Sequence, residues 1–159
     1  MGIKRKSREL IIQTLYSLLY ADVDEYLQNL DLLNKYKEVL SYLCEESAVE
    51  LKSNIYNHAD FSLKKIIPLI DELQEKVSSY LGTRTIDSLG QIDLIILKLS
   101  MYEMLYEKTP PPVMINEAIE LAKKFCSEKS PALINAILDN FKKKELTITT
   151  TIDKDNIDE

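Results

Sequence analysis

The most constraining feature of this sequence is the segment from Gln91 to Tyr106, which is apolar on almost every side of a helix. Its apolar residues are Ile92, Leu94, Ile95, Ile96, Leu97, Leu99, Met101, Met104 and Leu105. A helix with apolar residues all round its axis must be surrounded by other elements. We therefore expect this helix to lie at the centre of the fold.

The rest of the chain also shows helical spacing of apolar residues, from Ser7 to Lys144, whereas alternating strand patterns are scarce. Further helices are predicted over roughly 7–20, 24–43, 46–57, 61–81, 113–125 and 131–144. Ser62 and Asn116 are predicted N-caps. Pro68 predicts a kink or break near residues 64–67, because proline removes a helical hydrogen bond. The sequence therefore predicts an all-α protein of about seven helices around a central apolar helix.

Charge is distributed unevenly along the chain. The net charge is −6, yet residues 1–8 hold four cations and no acid: Lys4, Arg5, Lys6 and Arg8. Cations at the start of a helix oppose its dipole, so helix stability does not explain them, whereas phosphate binding does. A solvated N-terminal arm is the alternative interpretation. An acidic body with one basic tip indicates a local anion-binding site rather than a general nucleic-acid binder.

The C-terminal segment 145–159 has five acids, one lysine and no core-forming pattern. We expect it to be a disordered acidic tail, and residues 1–144 to form a single helical domain.

The sequence shows no recognisable catalytic, metal-binding or membrane pattern. The three glycines are too widely separated for a phosphate-binding loop, and no nucleophile, base and oxyanion donor occur together. His58 is the only histidine, and Cys44 and Cys126 lie far apart, so we expect reduced thiols rather than a zinc site or disulfide. No apolar run approaches the ~18 residues needed to span a bilayer. We expect a cytoplasmic protein that is not an enzyme, holds no cofactor or metal and does not bind membranes.

Four motifs lie in order along the chain: RExxxQxLY from Arg8, QIDxxILKxxxYE from Gln91, INEAIELAKKF from Ile115 and INAILD from Ile134. Together they resemble the NusB family of bacterial transcription antitermination factors. The resemblance covers about 4–144 and is most specific over 89–139. It implies two packed helical bundles that bind the boxA element of nascent ribosomal RNA. It also implies a partner, the small-subunit ribosomal protein NusE, with which the protein joins RNA polymerase and other Nus factors to suppress early termination.

The resemblance also implies which residues touch these partners. The arginine-rich start of the family matches the basic tip described above, Lys4, Arg5, Lys6 and Arg8. The RNA-facing loop before the last helix contains Ser127, Lys129 and Leu133. Family members often carry an acid at the position of Lys129, so the lysine should strengthen phosphate attraction. They commonly carry an aromatic residue at the position of Leu133, so the leucine removes a stacking surface. Asp93 matches a position on the NusE-facing surface.

Two other interpretations remain open at this stage. The same fold precedes the catalytic domain of some ribosomal RNA cytosine methyltransferases, so the chain could be an RNA-binding module of that kind. This chain ends soon after the fold, without a cofactor-binding segment, which favours a stand-alone factor. The other interpretation is a purely structural helical protein, such as a homodimer, with no affinity for RNA even when NusE is present.

Overall fold

The computed structural model describes residues 2–20 and 29–146, and within them every regular element is helical. The seven α-helices are α1 (Ile3–Tyr20), α2 (Asn29–Glu46), α3 (Asn54–Ile66), α4 (Ile70–Ser79), α5 (Gln91–Tyr102), α6 (Pro111–Phe125) and α7 (Ser130–Phe141). The all-α prediction of about seven helices is confirmed. The predicted start of the second helix near residue 24 and the predicted tail from residue 147 onward lie outside the described residues.

The helix α5 lies at the centre, as its composition predicts. Each residue from Ile95 to Tyr102 is at most 2% exposed, and α5 packs against α1, α4, α6 and α7. Two of its buried polar side chains, Lys98 and Ser100, are hydrogen-bonded as follows. Lys98 Nζ donates to Gln74 Oε1 at 2.9 Å, and Ser100 Oγ donates to the Ile96 carbonyl at 2.6 Å. Burial lowers the pKa of Lys98, because the charged ammonium is removed from water.

Five of the other helices form two groups that each contact α5. α1 packs against α2 and α3, while α6 packs against α7, and α4 packs against α5 itself. Because α5 contacts both α1 and the α6–α7 pair, a continuous core joins the two groups. This arrangement confirms the prediction of two packed helical bundles around a central helix.

Proline positions explain one success and one failure of the predicted boundaries. α3 ends at Ile66, a 3-10 turn over Ile67–Leu69 contains Pro68, and α4 follows, so the predicted break is confirmed. The N-cap predicted at Asn116 is wrong, because α6 already begins at Pro111. Proline is compatible with the first helical turn, whose N–H groups have no intrahelical acceptor.

The predicted N-cap at Ser62 is also wrong. The helix that contains it begins earlier, where the side chain of Ser53 accepts a hydrogen bond from the Tyr56 backbone N–H at 3.2 Å. Ser62 is instead buried in the middle of α3, and its hydroxyl donates to Glu107 Oε1 at 2.7 Å. A tertiary partner therefore satisfies the hydroxyl that the sequence pattern assigned to capping.

Two of the helices end in wider, π-helical turns. After α5, such a turn covers Glu103–Glu107 and leads into Lys108, which adopts a left-handed conformation with φ of 58°. After α7, a second π-helical turn covers Lys142–Leu146. Helical structure thus continues past the predicted domain end at residue 144. Glu145 accepts hydrogen bonds from Lys76 Nζ at 2.6 Å and from the Tyr80 hydroxyl.

Candidate nucleic-acid interface

The basic tip lies within the first turns of α1, and its four cations have different surroundings. Lys4 is exposed. Arg5 donates two hydrogen bonds to the carboxylate of Glu117 on α6, from Nε to Oε2 at 2.9 Å and from Nη2 to Oε1 at 2.7 Å. Lys6 lies with its Nζ 3.7 Å from Glu9 Oε2 on the same helix. The cations are adjacent in the sequence, but they therefore differ in their contacts with carboxylates.

Arg8, the fourth cation, is only 3% exposed. Its Nε and Nη2 donate to Glu103 at 2.7 and 2.8 Å, and Thr109 Oγ1 donates to the same carboxylate at 3.0 Å. Its Nη1 lies 3.7 Å from Glu117 Oε2. In this conformation the Arg8 guanidinium faces the interior, which differs from the prediction that all four cations face RNA. The positive charge of Arg8 also stabilises the Glu117 carboxylate, which accepts the hydrogen bonds of Arg5.

The carboxylate of Glu117 is thus the link between the two arginines. Its side chain is 15% exposed, whereas that of Arg5 is 38% exposed. The hydrogen bonds from Arg5, opposed by partial burial, hold the pKa of Glu117 below its usual value. Glu117 therefore remains charged at neutral pH and keeps its contact with Arg5.

Helices α1 and α6 run in the same direction and enclose a groove bridged by long side chains. Arg5, in the first turn of α1, contacts Glu117 in the middle of α6, and farther along both helices Glu9 Oε1 lies 3.0 Å from Lys124 Nζ. The groove has a volume of about 310 Å³. We call it the α1–α6 groove, and its lining residues are Arg5, Glu9, Glu120, Leu121, Lys123 and Lys124.

A second cleft, of about 290 Å³, lies beyond the far end of this groove. It is formed by the last turns of α1, the end of α6 and the starts of α5 and α7. We call it the Asp93 cleft, and it is lined by Tyr16, Gly90, Gln91, Ile92, Asp93, Phe125, Cys126, Ser127 and Ser130. Arg5 and Tyr16 are separated by roughly 16 Å along α1, given the rise of about 1.5 Å per helical residue. The groove and the cleft therefore form one elongated face.

Asp93 belongs to the wall of this cleft rather than to an open surface, because it is 7% exposed. A Cβ atom at Gly90 would lie 3.0 Å from Asp93 Oδ2, so the glycine permits this close approach. Beside Asp93, burial, together with the hydrogen bond and negative charge of Asp93, raises the pKa of the Cys126 thiol to about 12. The thiol is therefore protonated at neutral pH and is a poor nucleophile.

The predicted loop residues lie around the start of α7. Ser127 lines the cleft, with its hydroxyl 3.2 Å from that of Ser130. Lys129 is exposed, and Leu133 is half-buried against the core. Ser127, which the resemblance assigns to RNA, and Asp93, which it assigns to the partner protein, thus lie in the same cleft. Lys129 and Leu133 are not among its lining residues.

Two aromatic side chains of this cleft were not among the predicted site residues. Tyr16 is 41% exposed and packs its ring 5.8 Å from that of Tyr20, and Phe125 is half-buried. Exposed aromatic rings next to cations are the usual elements of single-stranded nucleic-acid binding. The sequence feature that could have identified Tyr16 is its position in the first motif, on the side of α1 opposite the buried leucines.

Other classes of site find little support in the part of the chain that the structure describes. No group of three or more His, Cys, Asp or Glu residues in residues 2–20 and 29–146 is arranged to hold a metal ion. Both cysteines are free thiols. None of the described helices is long and apolar enough to cross a membrane.

The fold and its face define a class of small all-helical protein with a groove of paired charges that leads to an aromatic-lined cleft. The chain belongs to the NusB family, whose model matches residues 5–143. It is 33% identical to the transcription antitermination protein NusB of Thermodesulfovibrio yellowstonii, over 95% of this chain and 99% of that protein.

Two solved structures share the fold. A crystal structure of NusB from T. maritima superposes with a TM-score of 0.69 and 27% identity, covering 89% of this chain and 91% of that one. Antitermination factors NusB and NusE in complex with double-stranded RNA give a TM-score of 0.71, covering 90% of this chain and 98% of that one. At 20% identity, the second likeness concerns the fold alone.

Proposed function

We propose that this protein is a transcription antitermination factor that binds boxA RNA of nascent ribosomal RNA transcripts together with NusE. The complex then joins RNA polymerase and other Nus factors. The family match over residues 5–143 supports this role, since it spans all seven helices. The related factor solved with NusE and double-stranded RNA supports the choice of partners.

The elongated face is the structural observation that carries the proposal. Arg5, Lys123 and Lys124 line its groove, and together with Lys4 and Lys6 of the basic tip they suit phosphate groups. The tyrosine ring at its far end suits an unpaired base. Such a division between backbone contacts and base contacts is the usual way in which proteins bind single-stranded nucleic acid. We assign Ser127, which lines the cleft, and exposed Lys129, which follows it in the loop, to RNA binding.

The remaining predicted residues receive supporting or partner-facing roles. Arg8 is assigned a positioning role, because its buried guanidinium holds Glu117 and the start of α1. Leu133 packs behind the RNA-facing loop and keeps it against the core. Asp93 is assigned to the side of the cleft that NusE approaches. In this proposal residues 1–144 act as one RNA-binding domain.

The protein acts through binding and not through catalysis in this proposal. The most nucleophilic side chain type in the face is the Cys126 thiol, and its raised pKa keeps it protonated at neutral pH. The face therefore offers hydrogen-bond donors, charges and rings, which are groups that recognise RNA.

A titration of labelled boxA RNA, with and without saturating NusE, tests the proposal. We expect weak binding by the protein alone, because the net charge of −6 repels a polyanion away from the basic tip. NusE should tighten RNA binding through a coupling of about 1–3 kcal/mol, and RNA should tighten the protein pair by the same factor. A scrambled RNA of equal length is the control.

The same titration separates the alternatives. Equal affinity for boxA and scrambled RNA would contradict sequence-specific recognition. No binding to either RNA with NusE present would leave a structural helical protein, and sedimentation would then show whether it is a homodimer.

A further inference from the structure

The α1–α6 groove holds cations that already have anionic partners inside the protein. Arg5 donates both of its hydrogen bonds to Glu117, and Lys124 lies 3.0 Å from Glu9. A phosphate group that approaches this groove therefore competes with a carboxylate of the protein itself. Counting basic residues in the sequence does not reveal this competition.

The geometry of Glu117 resembles that of a bound phosphate. Its two oxygens accept from Nε and Nη2 of Arg5 at 2.9 and 2.7 Å, the two-pronged arrangement in which a guanidinium also holds a phosphate. The Arg5 side chain is 38% exposed and Glu117 only 15%, so solvent reaches the cation more readily than the carboxylate. Glu117 also keeps a second cationic neighbour, Arg8 Nη1 at 3.7 Å, when Arg5 turns away.

We propose that Glu117 is an internal competitor of RNA phosphate for Arg5, and that this exchange sets the RNA affinity of the groove. The inference rests on the proposed function, because it assumes that RNA reaches this face. A phosphate oxygen takes the place of a Glu117 oxygen on Arg5, while Glu117 stays beside Arg8.

The exchange predicts an unusual dependence on salt. A free cation that binds a phosphate releases about 0.7 counterion from single-stranded RNA. When Arg5 leaves Glu117 for a phosphate, the carboxylate attracts cations from solution more strongly than before, even beside Arg8, and this uptake offsets part of the release. Arg5 should therefore contribute less to the salt slope than a free cation does, as long as Glu117 is charged.

The test compares Glu117→Gln with the control Asp139→Asn by titration with labelled boxA RNA in the presence of NusE. Both variants remove one negative charge, but the Asp139 carboxylate lies on α7, outside the groove, and pairs with exposed Lys143 at 2.9 Å. Glu117→Gln should bind RNA about two- to fivefold more tightly than Asp139→Asn, the range of a partly exposed ion pair. Its slope of log affinity against log salt should steepen by up to about 0.7.

The gain from Glu117→Gln should disappear in an Arg5→Ala background, because no cation then remains to be released. If Glu117→Gln fails to fold, carboxyl carbon NMR of the wild-type protein can test the exchange instead, by measuring the pKa of Glu117 with and without RNA. The pKa of Glu117 should rise towards its usual value when RNA saturates the protein, and an unchanged pKa overturns the exchange. If the wild-type protein binds RNA but Glu117→Gln and Asp139→Asn behave alike, only this inference fails. If no RNA binds with NusE present, the proposed function fails with it.

Discussion

The two sides of α1 carry similar residues in opposite surroundings. On the inner side, Arg8 is 3% exposed and bonded to Glu103, and Leu15 is 1% exposed. On the outer side, the Arg5 side chain is 38% exposed and bonded to Glu117, and Tyr16 is 41% exposed. The inner ion pair and the outer ion pair have nearly the same hydrogen-bond lengths. Their difference lies in access to solvent, which decides whether an arginine holds the fold together or is available to a ligand.

The largest expected effect is on the inner ion pair. Arg8→Ala should lower the free energy of unfolding by about 3–5 kcal/mol, because it leaves the Glu103 carboxylate buried without its cation. Arg5→Ala is the matched control on the outer side, where water can replace the lost partner, and it should shift the urea midpoint far less. Similar shifts of the urea midpoint for the two variants would show that the two ion pairs stabilise the fold equally, despite their different exposure to solvent.

A smaller effect is expected from the apolar part of the inner side. Leu15→Ala should lower the free energy of unfolding by roughly 2–5 kcal/mol, through lost burial and the cavity left behind. Its sequence neighbour on the outer side, Tyr16→Ala, should unfold at nearly the wild-type urea concentration. If the tyrosine variant is the less stable of the two, Tyr16 and not Leu15 faces the core.

The outer side should instead affect RNA binding. Tyr16→Ala should weaken boxA binding by about 1–3 kcal/mol, the contribution of one base stacked on an aromatic ring. Tyr16→Phe retains the ring and should bind nearly as the wild type does in the same fluorescence titration. Equal losses in both variants would point to the hydroxyl rather than to stacking.

The smallest expected effect concerns pH. The folded pKa of Glu117 lies below its usual value of 4.5, so its ion pair stabilises the fold fully above about pH 4.5. That contribution is lost as the pH falls through the lower, folded pKa. Between pH 5 and 3, about the range of this transition, the wild-type protein should therefore lose stability more steeply than Glu117→Gln. Urea denaturation at several pH values measures the two slopes, and parallel slopes would contradict the assignment.

Features that depend on local sequence were predictable. The burial of α5 follows from apolar residues on all sides of Gln91–Tyr102, and the break at Pro68 follows from the missing N–H. The predicted cap at Asn116 is wrong because the capping preference of asparagine is local and does not include the effect of the preceding prolines. Pro111 and Pro112 fit the first helical turn and start α6 earlier.

Features that depend on distant partners were not predictable. Arg5 and Arg8 look equivalent in the sequence, and their partners Glu117 and Glu103 lie in other helices. Only the packing of α1 against α5 and alongside α6 decides which cation is buried. In the same way, the short-range pattern gave no reason to combine Tyr16 with Asp93 and Ser127 in one cleft. The roles of these residues in binding remain predictions.

The common direction of α1 and α6 also has an electrostatic consequence for the backbone. A helix carries a partial positive charge of about half a unit at its N-terminus and a partial negative charge at its C-terminus. Because the two helices run in the same direction, both positive ends lie towards the Arg5 end of the face and both negative ends lie towards Cys126. The peptide groups alone therefore make the potential more positive towards Arg5 than towards Cys126, and a polyanion lying on the face has lower energy at the Arg5 end.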